Sequence, residues 1–238
     1  MNKKFQSFLV VLWLAAFTLS ATSCIGHNGN GKVVKEERNV SGFDAIAVNN
    51  GIEVRVDQDS FEKVVVEADE NIQKILKTEV KDGKLKIFLD ENVYHAKKMK
   101  VYVTVKQLKS VEASSGAEVK SGNLIKAETM KIHSSSGSDV TMEIACGQVS
   151  LDSSSGSDLS ISGTAQSLKA ESSSGSDLKA SKLKTEKAEV SASSGSDLEV
   201  YVSKELKAHS SSGSDIIVYG HPTLRDSNSS SGGDVSFR

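Results

Sequence analysis

The chain has 238 residues, with 29 basic and 31 acidic side chains and a formal net charge of −2 at pH 7. A chain of this length forms one or two domains. The slightly acidic balance argues against nucleic acid as a partner, because proteins that bind nucleic acid concentrate basic residues on one surface. Pro222 is the only proline in the chain, so almost nothing interrupts long strand ladders.

The first 23 residues have the layout of a secretory signal peptide, with a basic start at Lys3 and Lys4, an apolar run and a short small-residue segment. The apolar run is shorter than the ~20 residues that a membrane-spanning helix needs. The segment Ala21-Thr22-Ser23-Cys24 resembles a bacterial lipobox, in which the cysteine is lipidated. We therefore predict lipid attachment at Cys24 and a lipidated tether over residues 24–34. The alternative is an ordinary cleavage site that a cysteine happens to follow.

A lipid anchor at Cys24 predicts a cell-envelope location, because buried acyl chains hold a protein on a membrane. Cleavage removes the two lysines from the 29 basic residues, which leaves 27 against 31 acidic residues and a net charge of −4. The segment after Cys24 lacks the acidic run that often marks surface export of lipoproteins. The periplasmic face of the outer membrane and the cell surface therefore both stay open. With Cys24 acylated, Cys146 has no partner for a disulfide, and we interpret it as a small buried or turn residue.

Residues 35–107 are predicted to form an N-terminal β region. They contain five segments rich in β-branched residues that mostly alternate with polar ones. Asn49-Asn50-Gly51 and Lys81-Asp82-Gly83 are turn signals between such segments. One or two helical turns are expected over Glu70 to Leu76, where three aliphatic residues fall on one helical face.

Residues 108–238 repeat the phrase Ser-Ser-Gly-x-acid-aliphatic seven times. Its glycines are Gly116, Gly137, Gly156, Gly175, Gly195, Gly213 and Gly232, at spacings of 21, 19, 19, 20, 18 and 19 residues. A fixed period of this length indicates a repeat architecture in which neighbouring units cover each other's apolar side. Period two on either side of each glycine separates inward from outward positions. We therefore predict an all-β fold, a β-helix or β-solenoid with rungs of about 19 residues, which the N-terminal strands cap or extend.

The acid of the phrase forms a column of stacked carboxylates, which would repel one another. Three explanations fit such a column. In the first, each carboxylate accepts hydrogen bonds from turn amides or from a neighbouring serine. In the second, adjacent carboxylates bind a divalent cation such as Ca²⁺, which takes 6–8 oxygen ligands. The candidates, after Glu118 in the first copy, are Asp139, Asp158, Asp177, Asp197, Asp215 and Asp234. Glycan contact through the hydroxyl and carboxylate edges is a third possibility.

The sequence shows no catalytic constellation, and no cofactor is predicted. His133 and His209 share one column but lie four rungs apart, about 19 Å at the spacing of paired strands, which is too far for joint metal coordination. Polysaccharide-active β-helices need a local cluster of acids and bases that breaks the repeat, whereas the acids here form a uniform column. We expect no enzyme activity.

The passage from Gly42-Phe43-Asp44-Ala45-Ile46 to Gly51-Ile52-Glu53-Val54, together with the Ser-Ser-Gly-x-Asp copies, resembles the head GIN-domain family over roughly residues 36–238. The resemblance implies a β-helical, secreted or lipid-anchored protein of Bacteroides-type bacteria with a proposed adhesin role and no established catalytic residues. Glu53 stands where the family motif has Asn, at a position that we expect to be exposed.

These observations predict a non-catalytic envelope lipoprotein that acts as an adhesin or binding module and is held on the membrane through Cys24. The ligand, glycan or protein, is not indicated, and neither is the oligomeric state. The alternative is a structural envelope protein that assembles with itself.

Overall fold

A computed structural model describes residues 26–238 of the chain. The predicted signal peptide and Cys24 lie outside the described residues, so lipidation stays a prediction. The described residues form strands and turns and no helix. Accordingly, that part of the chain has no helix long and apolar enough to cross a membrane.

Nineteen strands make up the described chain. They are β1 (Gly26–Asn28), β2 (Val33–Arg38), β3 (Ala45–Val48), β4 (Glu53–Gln58), β5 (Lys63–Asp69), β6 (Leu76–Lys81), β7 (Lys84–Leu89), β8 (Asn92–His95), β9 (Met99–Val105), β10 (Ser110–Ala113), β11 (Glu118–Ser121), β12 (Ile125–Ser134), β13 (Asp139–Ser153), β14 (Asp158–Ser172), β15 (Asp177–Ala192), β16 (Asp197–Ser211), β17 (Asp215–Tyr219), β18 (Leu224–Ser230) and β19 (Asp234–Phe237). Strands β1 and β8 pair with each other, and the other seventeen form one continuous sheet.

The repeats stack as parallel rungs in register, which confirms the predicted β-solenoid. Strand β13 pairs with β14 from Asp139 opposite Asp158 to Ser153 opposite Ser172. Each aliphatic residue thus lies directly above its counterpart in the next copy, because all seven copies place it at the same distance from the glycine. The spacings of 20 and 18 residues are absorbed as register shifts between β14 and β15 and between β15 and β16.

Each rung has two inward-facing runs separated by a bend. In β13 the first run is Val140, Met142 and Ile144, and the second is Val149, Leu151 and Ser153, all buried. Between them, residues 145–147 are only partly buried and the alternation changes phase. The chain therefore turns at two places per rung, at this bend and at the Ser-Gly corner, and the core lies between the two sides.

The N-terminal strands both extend and cap the stack, as predicted. Strands β3 and β4 form a further rung, parallel to β10 and β11 on one side and to β7 and β9 on the other. Strands β2, β5 and β6 then pair in antiparallel fashion and close this end. The order of strands in the stack therefore differs from their order along the chain.

The expected helical turn is present in the cap between β5 and β6. The amide of Gln73 donates to the carbonyl of Asp69, and the amide of Leu76 donates to that of Ile72. Ile72 and Leu76 are buried beneath the cap strands. The buried Asp69 carboxylate accepts hydrogen bonds from the amides of Gly31, Lys97 and Lys98. This one side chain therefore joins three separate segments of the cap.

Candidate binding surfaces of the solenoid

The Ser-Gly corners repeat one tight turn. The glycines have φ between 65° and 79°, as their predicted corner position requires. The serine before each glycine also has a positive φ, between 50° and 56°, which sequence reasoning did not anticipate. Two consecutive residues with positive φ indicate a type I′ turn. The amide of Gly137 donates to the carbonyl of Ser155 in the next rung, and the same bond recurs along the stack.

Four of the seven corners, at Gly137, Gly156, Gly175 and Gly213, hold a pair of buried serines inside, and this network was also missed. Ser134 and Ser138 lie 2.9 Å apart through their hydroxyl oxygens, and the Ser138 hydroxyl donates to the carbonyl of Ala113 in the preceding rung at 2.9 Å. The same pairing joins Ser153 to Ser157, Ser172 to Ser176 and Ser210 to Ser214. The signal was available, because the residue after the glycine is serine in five of the seven copies.

The acid column is in register along the whole repeat. Glu118 lies opposite Asp139, and the pairing continues through Asp158, Asp177, Asp197 and Asp215 to Asp234. Within the described residues, none of the corner serines donates its hydroxyl to a carboxylate of this column. The serine hydroxyls of the corners donate to backbone carbonyls and to each other instead, because they point inward while the carboxylates point outward.

Two carboxylates of the column show the effect of this crowding. Partial burial raises the pKa of Asp139, and the neighbouring charges of Asp158 and Glu118 raise it further. Partial burial likewise raises the pKa of Asp197, with added repulsion from Asp177 and Asp215. Ionisation of Asp139 and Asp197 in the folded protein therefore costs free energy at neutral pH. Lysines offset the repulsion locally, as where Lys179 lies 3.3 Å from Asp177.

The column continues into the N-terminal region through Glu53, which lies opposite Glu118. The prediction that this position is exposed is wrong, because the Glu53 side chain is partly buried and bonds to Lys98 at 3.1 Å and to Lys100. The hydrogen bond from Lys100 is the main reason that the pKa of Glu53 is lowered, although burial opposes it. This end of the column is therefore neutralised within the chain.

The described residues contain no group of three or more His, Cys, Asp or Glu side chains arranged to hold a metal ion. The cation hypothesis for the aspartates stays a prediction. His133 and His209 are separated by Asp152, Glu171 and Ser191 in register, which confirms their four-rung distance. Cys146 is half-buried at the bend, and burial raises the pKa of its thiol, which disfavours the reactive thiolate.

A shallow groove of about 580 Å³ follows the side of the stack that precedes the corners. We call it the lysine groove. One wall is the register column Lys131, Ser150, Lys169, Glu189 and Lys207, and the other is Thr129, Gln148, Ser167, Lys187 and Glu205. Its floor consists of Met130, Val149, Leu168 and Ala188. Lys169 pairs with Glu171 at 2.8 Å and Lys187 with Glu205 at 3.0 Å. Within the described chain, Lys131 and Lys207 form no ion pair.

Comparisons with known proteins agree with this architecture. The model of the family described as "Putative auto-transporter adhesin, head GIN domain" matches residues 42–222. A solved "putative adhesin" from Bacteroides fragilis NCTC 9343 is 20% identical, with a TM-score of 0.85 over 90% of this chain and 100% of its own. A "putative lipid binding protein" from Parabacteroides distasonis ATCC 8503 is also 20% identical, with a TM-score of 0.76 over 90% and 100% of the two chains. No curated protein matches the chain. At these identities the structures establish the fold alone.

Proposed function

Because the chain belongs to the head GIN-domain family, we propose that it is a non-catalytic binding module of the cell envelope, an adhesin held on the membrane by lipid attachment at Cys24. The family's description and the names of the related structures support an adhesin. One observation on this chain carries the proposal. Outward side chains recur in register over successive rungs, and the core uses none of them.

Such an array suits recognition of an extended or repetitive ligand. The rigid ladder holds equivalent side chains at a spacing of ~4.8 Å. Because these contacts are preformed, binding costs the protein little conformational entropy. The acid column lies on the side of each rung that follows the corner, and the lysine groove lies on the side that precedes it. The two surfaces differ in charge and would select different ligands.

The proposal is tested first by location. Protease treatment of intact cells should remove the protein if it is displayed on the surface, while a periplasmic control protein survives. A protein that stays protected cannot act as an adhesin. Cys24→Ser is the control for anchoring. Loss of this variant from the membrane fraction supports lipid attachment at Cys24.

The ligand is sought next with the purified protein on a glycan array and in pull-downs from host extracellular proteins. A saturable hit supports the binding function. No hit in either assay would count against it. Ordered self-association in light scattering without a ligand would favour the structural alternative, for which the exposed side chains of β18, the outermost rung described, offer a contact surface.

A further inference from the structure

The lysine groove has a charge period that differs from the period of the rungs. Lys131, Lys169 and Lys207 occupy every second rung of one column, as the pairings of β12 to β16 show. With ~4.8 Å between paired strands, the three cations recur about every 9.6 Å. The rungs between them carry Ser150 and Glu189, whose oxygens accept hydrogen bonds. The wall therefore alternates between a cation and a hydrogen-bond acceptor.

We propose that the lysine groove binds an extended acidic polysaccharide that carries one carboxylate or sulfate per disaccharide. This inference rests on the proposed binding function and names its ligand class. Two sugar units of an extended chain cover about the length of two rungs, so a charged sugar meets each lysine. The neutral sugar between two charged ones donates its hydroxyls to Ser150 or Glu189.

The rest of the groove fits the same ligand. Met130, Val149, Leu168 and Ala188 lie between the two walls with their side chains buried in the core, so the bottom of the groove is strand backbone and leaves room for sugar rings between the outward side chains. The opposite wall adds the hydroxyls of Thr129 and Ser167 and the amide of Gln148. Lys131 and Lys207, at the two ends, form no ion pair in the described structure, so they engage an anion without first breaking an internal contact.

The groove also has defined ends. In the same column, Ser110 precedes Lys131 and Asp226 follows Lys207. The alternation is therefore confined to the five rungs of β12 to β16, which span roughly 19 Å and hold about two disaccharides. The acid column, on the other side of the corners, repels a polyanion and leaves the groove as its site.

The test uses the purified protein and isothermal titration calorimetry at low and physiological salt. The probe is a hyaluronan oligosaccharide, which carries one carboxylate per disaccharide. A cello-oligosaccharide is the neutral comparison, and an oligogalacturonate, with a carboxylate on every sugar, is the comparison for charge spacing. The test variant combines Lys131→Gln, Lys169→Gln and Lys207→Gln. The matched control combines Lys81→Gln, Lys106→Gln and Lys182→Gln, three exposed lysines outside the groove.

We expect hyaluronan to bind the wild-type protein and the control variant with the same affinity. It should bind the groove variant roughly tenfold more weakly, because only that variant loses the three exposed ionic contacts. Absence of hyaluronan binding, equal binding of the oligogalacturonate, or equal weakening in both variants would overturn the inference. Circular dichroism checks that both variants are folded. If hyaluronan does not bind but another ligand from the array does, the proposed function stands and only this inference is removed.

Discussion

The N-terminal rung and the repeat rungs make the same backbone turn at the corner but bury different side chains inside it. Asn50 and Gly51 have φ of 63° and 66°, close to the values of the Ser-Gly pairs, and the amide of Gly51 donates to Ser115 of the next rung. Inside that corner, however, lie Val48 and Ile52, where the repeats place hydrogen-bonded serines. The same backbone turn therefore forms around either packed aliphatic side chains or hydrogen-bonded serines.

The two regions also treat charge differently. In the N-terminal region, the pKa of Asp69 is lowered: burial raises it, but hydrogen bonds from three backbone amides outweigh the burial. In the repeats, burial and neighbouring carboxylates raise the pKa of Asp139 and Asp197. Ionised Asp69 therefore stabilises the cap at neutral pH, whereas ionised Asp139 and Asp197 destabilise the stack.

The largest effect is expected from Asp69→Ala in the cap. The substitution leaves the amides of Gly31, Lys97 and Lys98 without their buried acceptor, and each such loss costs ~1–3 kcal/mol. We expect the free energy of unfolding to fall by about 3 kcal/mol or more in urea titrations. Asp59→Ala, at an exposed site before β5, is the control and should change stability little. A loss below 1 kcal/mol for Asp69→Ala would contradict the role of this side chain.

A smaller loss is expected from Ser157→Ala inside a repeat corner. Its hydroxyl donates to Ser134 of the preceding rung and contacts the Ser153 hydroxyl, and removing one partner of a buried pair costs about 1.5 kcal/mol. The double variant Ser153→Ala/Ser157→Ala should cost less than the two single variants together, because it recreates the pairing of Ala113 with Ala117. Strict additivity in a double-mutant cycle would show that the serines do not act as a network.

A gain in stability is expected from Ser155→Asn, which transplants the Asn-Gly turn of the N-terminal rung into a repeat. Asn adopts positive φ more readily than Ser, and Ser155 has φ of 55°. We expect the free energy of unfolding to rise by roughly 0.5 kcal/mol. Ser154→Asn, one residue earlier and without positive φ, is the matched control. Equal effects of the two variants would mean that backbone conformation is not the cause.

The smallest effect is expected from Asp139→Asn in the acid column. Since the folded protein raises the pKa of Asp139 above its ordinary value of 3.8, ionisation destabilises the fold above the folded pKa, and this cost disappears as the pH falls through it. The variant should therefore be more stable than the wild type at pH 7, by about 0.5 kcal/mol or less for this exposed group, and equally stable below pH 4. Thermal unfolding across this pH range measures the difference.

Glu53→Gln tests the opposite sign at the neutralised end of the column. The pKa of Glu53 is lowered, so its stabilising contribution is present above the ordinary value of 4.5 and is lost as the pH falls through the folded value. The variant should be less stable than the wild type at pH 7 and should approach it in acid. Parallel pH profiles for the two variants would contradict the contrast between the regions.

Much of the repeat region could be predicted because its signals are local and recur. The glycine spacing predicted the rungs, and the aliphatic residue three positions after each glycine predicted the core, where Val140 and Leu159 indeed lie buried in register. The serine-to-aspartate hydrogen bonds weighed for the acid column do not form at the corners, because adjacent residues of a strand such as Ser138 and Asp139 point to opposite sides. The lysine groove escaped notice for a similar reason: Lys131 and Lys169 are 38 residues apart, and only the register places them in one column.

The sequence by itself determined the turns and the alternation of each rung, since positive φ at Asn-Gly or Ser-Gly and period-two burial depend on neighbouring residues. Tertiary structure alone decided that β3 lies between β7 and β10 and β4 between β9 and β11. It also decided that the cap strands run antiparallel and that Glu53 meets Lys98 and Lys100. These features depend on pairing between distant segments, which backbone hydrogen bonds stabilise with little regard to side-chain identity. Local sequence patterns therefore do not predict these pairings.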